Sequence, residues 1–499
     1  MKKIIYTIAI VFALSSCSDF LDEVPKGSLT TESYYKTEKH AEAATNAIYD
    51  YLIIGYAPGG LWDSNYGGVF YNDYWVLQDL FADNSETQMT SVDFTSISNM
   101  RIDPYNSSVR LLWRDYYQTI KTCNVVLDKV PAIPMNEVKK KHLLAEARFF
   151  RAMMYFDLVR MFGDVPLHTA NVESASDQNT PRVNKKIIYD QIISDLEIAE
   201  KDLVYAARTG GGRPYPLSAS ALLARVYLTY GAQYKDKGAF QKAVNKAQSV
   251  IPSFPLLSNY ADIFKIPNRF NTEVIWGTNF SASLSEGWKG GQFLVRLLPS
   301  LDTSLGGPEN AHGWETATEN LNASYLATDT RKNVTLRNTF VYNDNSVVNL
   351  PHTYVFKYWD RQTEPKGNNT DAIFPAIRTA EMYLIVAEAL NEINNSPTPE
   401  AIAALHTIRT RAGIGSQPIA SDYKGFKNDV LKERRAEFVM EGQRWFDLTR
   451  MCTPQEFKDL IKAAKPNATP QDYHFLFPIP QEEIQLSHGL LTQNPGYSQ

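Results

Sequence analysis

The side chains best suited to contact a ligand lie in residues 61–81, LWDSNYGGVFYNDYWVLQDLF, where seven of 21 are aromatic against 12% for the whole chain. Trp62, Tyr66, Phe70, Tyr71, Tyr74, Trp75 and Phe81 are interleaved there with Asp63, Asn65, Asn72 and Asp73. A sugar ring offers an apolar C–H face and a rim of hydroxyls, so recognising it calls for a flat π surface beside planar hydrogen-bonding groups. Phe70, Tyr74, Trp75 and Phe81 recur at near-helical spacing and are expected in the core of a short helix. Trp62 and Tyr66 stand among Gly59, Gly60, Gly67 and Gly68 and are expected at a ligand surface. A second such surface is expected from Trp288 in SEGWKGGQ and Trp314 in NAHGWETA, each in a polar, glycine-rich loop. Arg296, Asn310 and His312 are nearby hydrogen-bonding groups, none of them singled out. The expected ligand-binding residues are therefore Trp62, Tyr66, Trp288 and Trp314.

Catalysis finds less support. Glycoside cleavage needs two carboxyl groups roughly 5 to 10 Å apart, and Glu433, Glu437 and Glu441 recur every four residues, as do Asp79 and Asp83. The glutamates alternate with Arg434, Arg435 and Arg444, so the expectation is a structural salt-bridge network. The eight histidines, at 40, 142, 168, 312, 352, 406, 474 and 488, form no pair at the spacing of a helical zinc site. No G-x-S-x-G elbow, Walker loop or dinucleotide fingerprint is present. No catalytic residue, metal or cofactor is expected, and a glycoside hydrolase is a remote alternative.

The ends of the chain bear on the compartment. Lys2 and Lys3 precede eleven mostly apolar residues, Ile4 to Leu14, and then Leu14-Ser15-Ser16-Cys17. Crossing a bilayer core of about 30 Å takes roughly 20 apolar residues, so residues 1–16 are expected to be a signal peptide. Leu-Ser-Ser-Cys resembles the bacterial lipobox, with Cys17 the lipidated residue; a multiply acylated cysteine anchors stably. Only Cys123 and Cys452 remain, too few for a disulfide framework, so stability rests on a core that 44% hydrophobic content can supply. Without Lys2 and Lys3, 48 basic residues face 55 acidic ones, about −7 overall, with no basic block to favour nucleic acid.

The elements that must hold the ligand-binding side chains are mainly helices. Residues 17–40 read as a tether running into a first helix over Leu29 to Ala47, with Thr30 or Thr31 as N-cap and clear helical period over 41–54. A helical scaffold is expected over 41–250 and 378–450, within a single domain of 41–499. Loop-rich insertions are expected at about 55–108, with one helix near 72–83, and at 251–375; residues 451–499 are expected to wrap the body. Leu144, Phe149, Ala152, Met153, Phe156 and Val159 form a broad apolar stripe on a helix that Gly163 and Pro166 end. Two helix pairs share one design: Ala221, Ala224 and Tyr227 face Phe240, Ala243 and Ala247, and Tyr383, Ala387 and Leu390 face Ile402, Ala404 and Ile408. They resemble degenerate tetratricopeptide repeats. EVIWGTNF, TLRNTFVY and TYVFKYW read as short strands.

Taken together, CSDFLDEVPKGSLTTESYY, LLWRDYYQTIKTCNVVLDKVP, AEARFFRAMMYFDLVRMFGDVPL, ALLARVYL, IRTAEMYLIVAEALNE, LHTIRTRAG, ERRAEFVMEGQRWFDLTR and FPIPQEEIQLSHGLLTQNPGY resemble the SusD/RagB family nearly end to end. The resemblance implies a mainly α, tetratricopeptide-like fold and no catalysis. It implies a lipoprotein of the bacterial outer membrane, displayed on the cell surface, that docks on a TonB-dependent β-barrel transporter. The cargo it implies is oligosaccharide, with peptides or another nutrient as the alternative.

Overall fold

The computed structural model describes residues 35–53, 68–71, 73–172, 180–204, 212–281, 291, 293–361 and 370–498; Cys17, Trp62, Tyr66 and Trp288 lie outside them. The chain opens with α1 (Glu38–Ile53), α2 (Asp73–Leu80), β1 (Ser85–Thr87) and α3 (Val92–Ser98). A helical run follows: α4 (Ser107–Lys129), α5 (Glu137–Phe162), α6 (Lys185–Asp202), α7 (Pro216–Tyr234) and α8 (Lys237–Val250). Next come β2 (Val274–Asn279), α9 (Phe293–Leu297), β3 (Glu315–Ala317), α10 (Glu319–Ser324), α11 (Lys332–Thr335), β4 (Leu336–Val341), β5 (Val347–Val355) and β6 (Ile373–Arg378). The chain closes with α12 (Thr379–Asn394), α13 (Pro399–Arg411), α14 (Tyr423–Glu437), α15 (Arg444–Met451), α16 (Pro454–Ala464) and α17 (Gln481–Leu486). The fold is mainly α.

Local sequence explains the helix boundaries. Asn106, Asn136 and Asn184 cap α4, α5 and α6, their side-chain oxygens accepting from the amides of Val109, Lys139 and Lys186 at 3.3, 3.1 and 2.9 Å. Pro216 opens α7, where its missing N–H leaves nothing unsatisfied. Gly163 ends α5 with φ +74°, as its position after the apolar stripe suggests. The first described helix begins at Glu38, and the start expected at Leu29 lies outside the described residues. Helix α2 falls where a helix was expected near 72–83, whereas α3 occurs where only loop was expected and α16 lies beyond the expected end at 450.

The long helices stack in series: α1 on α4, α4 on α5, α5 on α6, α6 on α7, α7 on α8, α8 on α12, and α12 on α13. Both expected helix pairs, α7 with α8 and α12 with α13, are present, and α8 joins them although residues 251–378 intervene. Small residues make the approach close. A Cβ on Gly231 of α7 would lie 2.8 Å from the Phe240 ring of α8. The central helix α5 is buried nearly all round, so its polar groups must be paired. Arg151 accordingly donates to both carboxylate oxygens of Asp195 on α6, each at 2.8 Å.

One contiguous core joins these helices to α2, where Tyr74 and Trp75, with Phe70 and Phe81 just outside its ends, are buried as expected. The strands are short: β1 pairs with β3, β2 with β6, and β4 with β5 as a hairpin over its own small core of Leu298, Ala311, Phe340, Tyr354 and Phe356. The C-terminal segment returns to the body, the amides of Phe477 and Gln481 reaching the carbonyls of Met161 and Pro104 at 2.7 and 2.9 Å. No helix of the described residues is long and apolar enough to cross a membrane.

Candidate functional site

Trp314 is the one expected ligand-binding residue within the described set, and its backbone is fixed before its side chain is considered. The antiparallel β1–β3 register pairs Thr87 with Glu315, and the pairing continues one residue further. The Gln88 amide and the Thr87 hydroxyl both donate to the Trp314 carbonyl, at 2.9 and 3.1 Å. On the other side, the His312 amide donates to the Val295 carbonyl of α9 at 3.0 Å. The chain turns through Asn310 at φ +53° before these clamps and Gly313 at φ +59° between them. At Gly313 a Cβ would stand 2.6 Å from the Tyr354 ring, so both space and backbone demand glycine.

The indole set on this frame is half-buried, with two close side-chain neighbours, His312 and Arg296. The exposed His312 ring stacks on it at 5.6 Å between centroids, 12° from parallel. The Arg296 guanidinium lies 4.9 Å from its centroid and 4.6 Å from that of Phe94, so the cation is sandwiched between two rings. Thus Arg296 and His312 join Trp314, while Asn310 serves the turn. Phe94 had no signal in the sequence, because α3 meets α9 only through the fold.

Behind the indole the site becomes polar and buried. Arg296 is 6% exposed, and no described group hydrogen-bonds to its Nε or Nη1. Glu315 is fully buried, and no described group donates a hydrogen bond to either of its oxygens. Burial pushes the Glu315 carboxyl up to about 8, against the pull of Arg296 and with the help of Asp79 and Asp73. Burial likewise raises Asp73, opposed by Arg296, and depresses Arg296 itself.

The Glu315 shift has a measurable sign. The folded state keeps this proton from the ordinary carboxyl value of 4.5 up to about 8, whereas the unfolded chain releases it. Stability therefore falls as pH rises through that window, by up to about 1.4 kcal/mol per pH unit. Glu315→Gln lacks the titration. Urea midpoints of variant and parent should lie close together near pH 4.5 and separate in the variant's favour by pH 8.5. A difference that stays constant with pH would contradict the assignment.

The carboxylates considered for catalysis are placed quite differently. Glu433, Glu437 and Glu441 are buried on α14 and the turn after it. Arg331 reaches Glu433 at 2.7 Å and Glu437 at 2.9 Å, and Arg378 reaches Glu437 at 2.8 Å and Glu441 at 2.7 Å. Arg411 also pairs with Glu437, and Lys357 with Glu441 at 2.7 Å. The salt-bridge network is present, but its cations are not the local arginines. Arg434 instead binds Asp447 at 2.8 Å, Arg444 binds Asp83 at 2.7 Å, and Arg435 also pairs with Asp83. Asp79, raised by burial to about 6, accepts from the amides of Met440 and Gly442 and holds the turn after α14.

Two family models match in sequence order: residues 19–228 match one described as starch-binding, associating with the outer membrane, and residues 276–497 match the SusD family. The SusD-like protein P2 of Formosa agariphila is 29% identical over 534 aligned residues that span all of both chains. A solved laminarin-binding SusD-like protein is 26% identical, with a TM-score of 0.75 over 93% of this chain and 100% of that one. A SusD superfamily protein of Parabacteroides distasonis, 24% identical, shares the fold with a TM-score of 0.78 over 94% of this chain and 100% of its own. With its front and rear portions matched in order and its helical array shared with solved members, the chain belongs to the SusD/RagB family.

Proposed function

We propose that this chain is a non-catalytic cell-surface lipoprotein that binds oligosaccharides and passes them to a TonB-dependent β-barrel transporter. One observation carries the reading: Trp314 offers a half-exposed indole, immobilised by the β1–β3 ladder and flanked by Arg296 and His312. A rigid π surface beside polar groups is what a sugar face and its hydroxyls require. The name of the laminarin-binding relative supports the same ligand class.

In this reading Trp62, Tyr66 and Trp288 extend the stacking surface. The described residues that follow these segments meet in the core. Phe70 stacks on Phe374 at 5.4 Å, and Phe293 stacks on the same ring at 6.1 Å, one turn before Arg296. Attachment to the outer membrane runs through acylated Cys17, and the helical array supplies the transporter contact.

Calorimetric titration of the mature protein with oligosaccharides from plant, algal, host and microbial polymers tests the proposal, with a tryptic peptide pool alongside. Saturable binding of one glycan class, accompanied by a change in tryptophan fluorescence, is expected. Retention of peptides with no glycan bound would overturn the reading.

A further inference from the structure

The β4–β5 hairpin and the turn after it build a second surface from different residues. Phe340, Phe356 and Trp359 form an aromatic cluster, with centroids 5.2 Å apart for Phe340–Trp359 and 5.7 Å for Phe356–Trp359. Two guanidiniums lie on it: Arg337 is 5.0 Å from the Phe356 centroid, and Arg361 is 5.1 and 5.3 Å from those of Phe340 and Trp359. A groove of about 670 Å³ runs beside them, with Lys265 also in its wall.

Among the described residues, neither Arg337 nor Arg361 has a carboxylate within ion-pairing distance, and each gives one N–H to a backbone carbonyl, of Asn333 and Val341 respectively. Lys357 is neutralised by Glu441 and Lys265 is paired with Asp262, leaving Asp360 as the acidic side chain in the lining. Burial and the neighbouring Arg361 hold Arg337 below the ordinary arginine range, as expected for like charges set close together. An anion between them would relieve that repulsion, and the planar guanidinium fork matches a carboxylate or sulfate. In a chain whose overall charge is negative, this is a local exception.

From this geometry we infer that the groove is a second glycan subsite, one that takes an anionic sugar with its carboxylate or sulfate held by Arg337 and Arg361 and its ring resting on Trp359. The inference rests on the glycan-binding reading above and deepens it. It also ties the two surfaces together. Ala311 and Leu298, close in sequence to Trp314 and Arg296, pack into the same small core as Phe340 and Phe356, so the hairpin holds both surfaces in fixed relation.

The test is calorimetry of the mature protein with an oligogalacturonate, a carrageenan oligosaccharide and a neutral laminari-oligosaccharide, which separates carboxylate, sulfate and uncharged ligands. At least one acidic ligand should bind, with affinity falling tenfold or more as salt rises from about 50 to about 500 mM. Arg361→Ala and Arg337→Ala should each weaken that binding at least tenfold and leave any neutral binding unchanged. Arg337→Lys, which keeps the charge but not the fork, should also weaken it, and circular dichroism confirms that each variant is folded. Acidic binding indifferent to both alanine variants overturns the inference. So does binding of neutral glycans alone, which would leave the glycan reading standing, whereas no binding of any glycan removes both.

Discussion

Glu437→Ala is expected to destabilise the protein by about 3–5 kcal/mol, the cost of leaving buried charge uncompensated. Its carboxylate is fully buried and meets Arg331, Arg378 and Arg411. Burial opposes ionisation, but the three guanidiniums prevail and hold the carboxyl well below its ordinary value. Removing it leaves Arg378 with Glu273 and Glu441, Arg331 with Asp329 and Glu433, and Arg411 with Glu273 alone. Arg411 thus suffers most. The stabilisation is fully present above pH 4.5 and is lost only as pH falls through the much lower folded value. Urea unfolding at pH 7 should show a lower midpoint, with Glu437→Gln intermediate; a variant within 1 kcal/mol of the parent would mean that the network contributes little. A carboxylate locked in this way is also a poor proton donor, which is the physical argument against giving it an acid–base role.

Trp314→Ala should weaken oligosaccharide binding by roughly 2 kcal/mol, about thirtyfold, as expected for a tryptophan at the centre of a contact surface. The backbone clamps on residue 314 are main-chain and Thr87 contacts that alanine keeps, so the loop should hold its course. The loss should appear in affinity with little change in the unfolding midpoint. Phenylalanine at 314 should recover part of the binding, because a smaller ring retains some of the π surface. His312→Ala should cost less than Trp314→Ala, since the imidazole borders the indole and is not its support. Unchanged affinity in Trp314→Ala would remove this indole from the contact surface.

How much of this was legible in the sequence depended on distance along the chain. The stop at Gly163 acts within one turn and was readable from local pattern, whereas the caps Asn106, Asn136 and Asn184 were not singled out. The facing alanines of α7 and α8 were readable for the same reason. Trp314 could be selected because Gly313 and its polar neighbours excluded it from a helix or a core strand. What escaped was long-range pairing: Glu437 was matched to the arginines beside it, whereas its partners Arg331, Arg378 and Arg411 come from the N-cap of α11, from β6 and from α13. Helical spacing shows which side chains share a face but not what another element brings to it. Phe94 under Arg296, and Arg337 beside Arg361, escaped for that reason. Trp62, Tyr66 and Trp288 were selected by the same glycine-rich context as Trp314, and the glycan titration is where they meet a test.

The contact between α8 and α12 has a consequence for biosynthesis. The outer face of α8 is completed by a helix that begins only at Thr379, so a chain still emerging from the ribosome holds that apolar face open until the whole intervening hairpin region has been made. Such delayed closure slows folding and exposes sticky surface along the way. A product cut short anywhere before residue 379 should therefore aggregate or be degraded, and should not persist as a stable half-molecule.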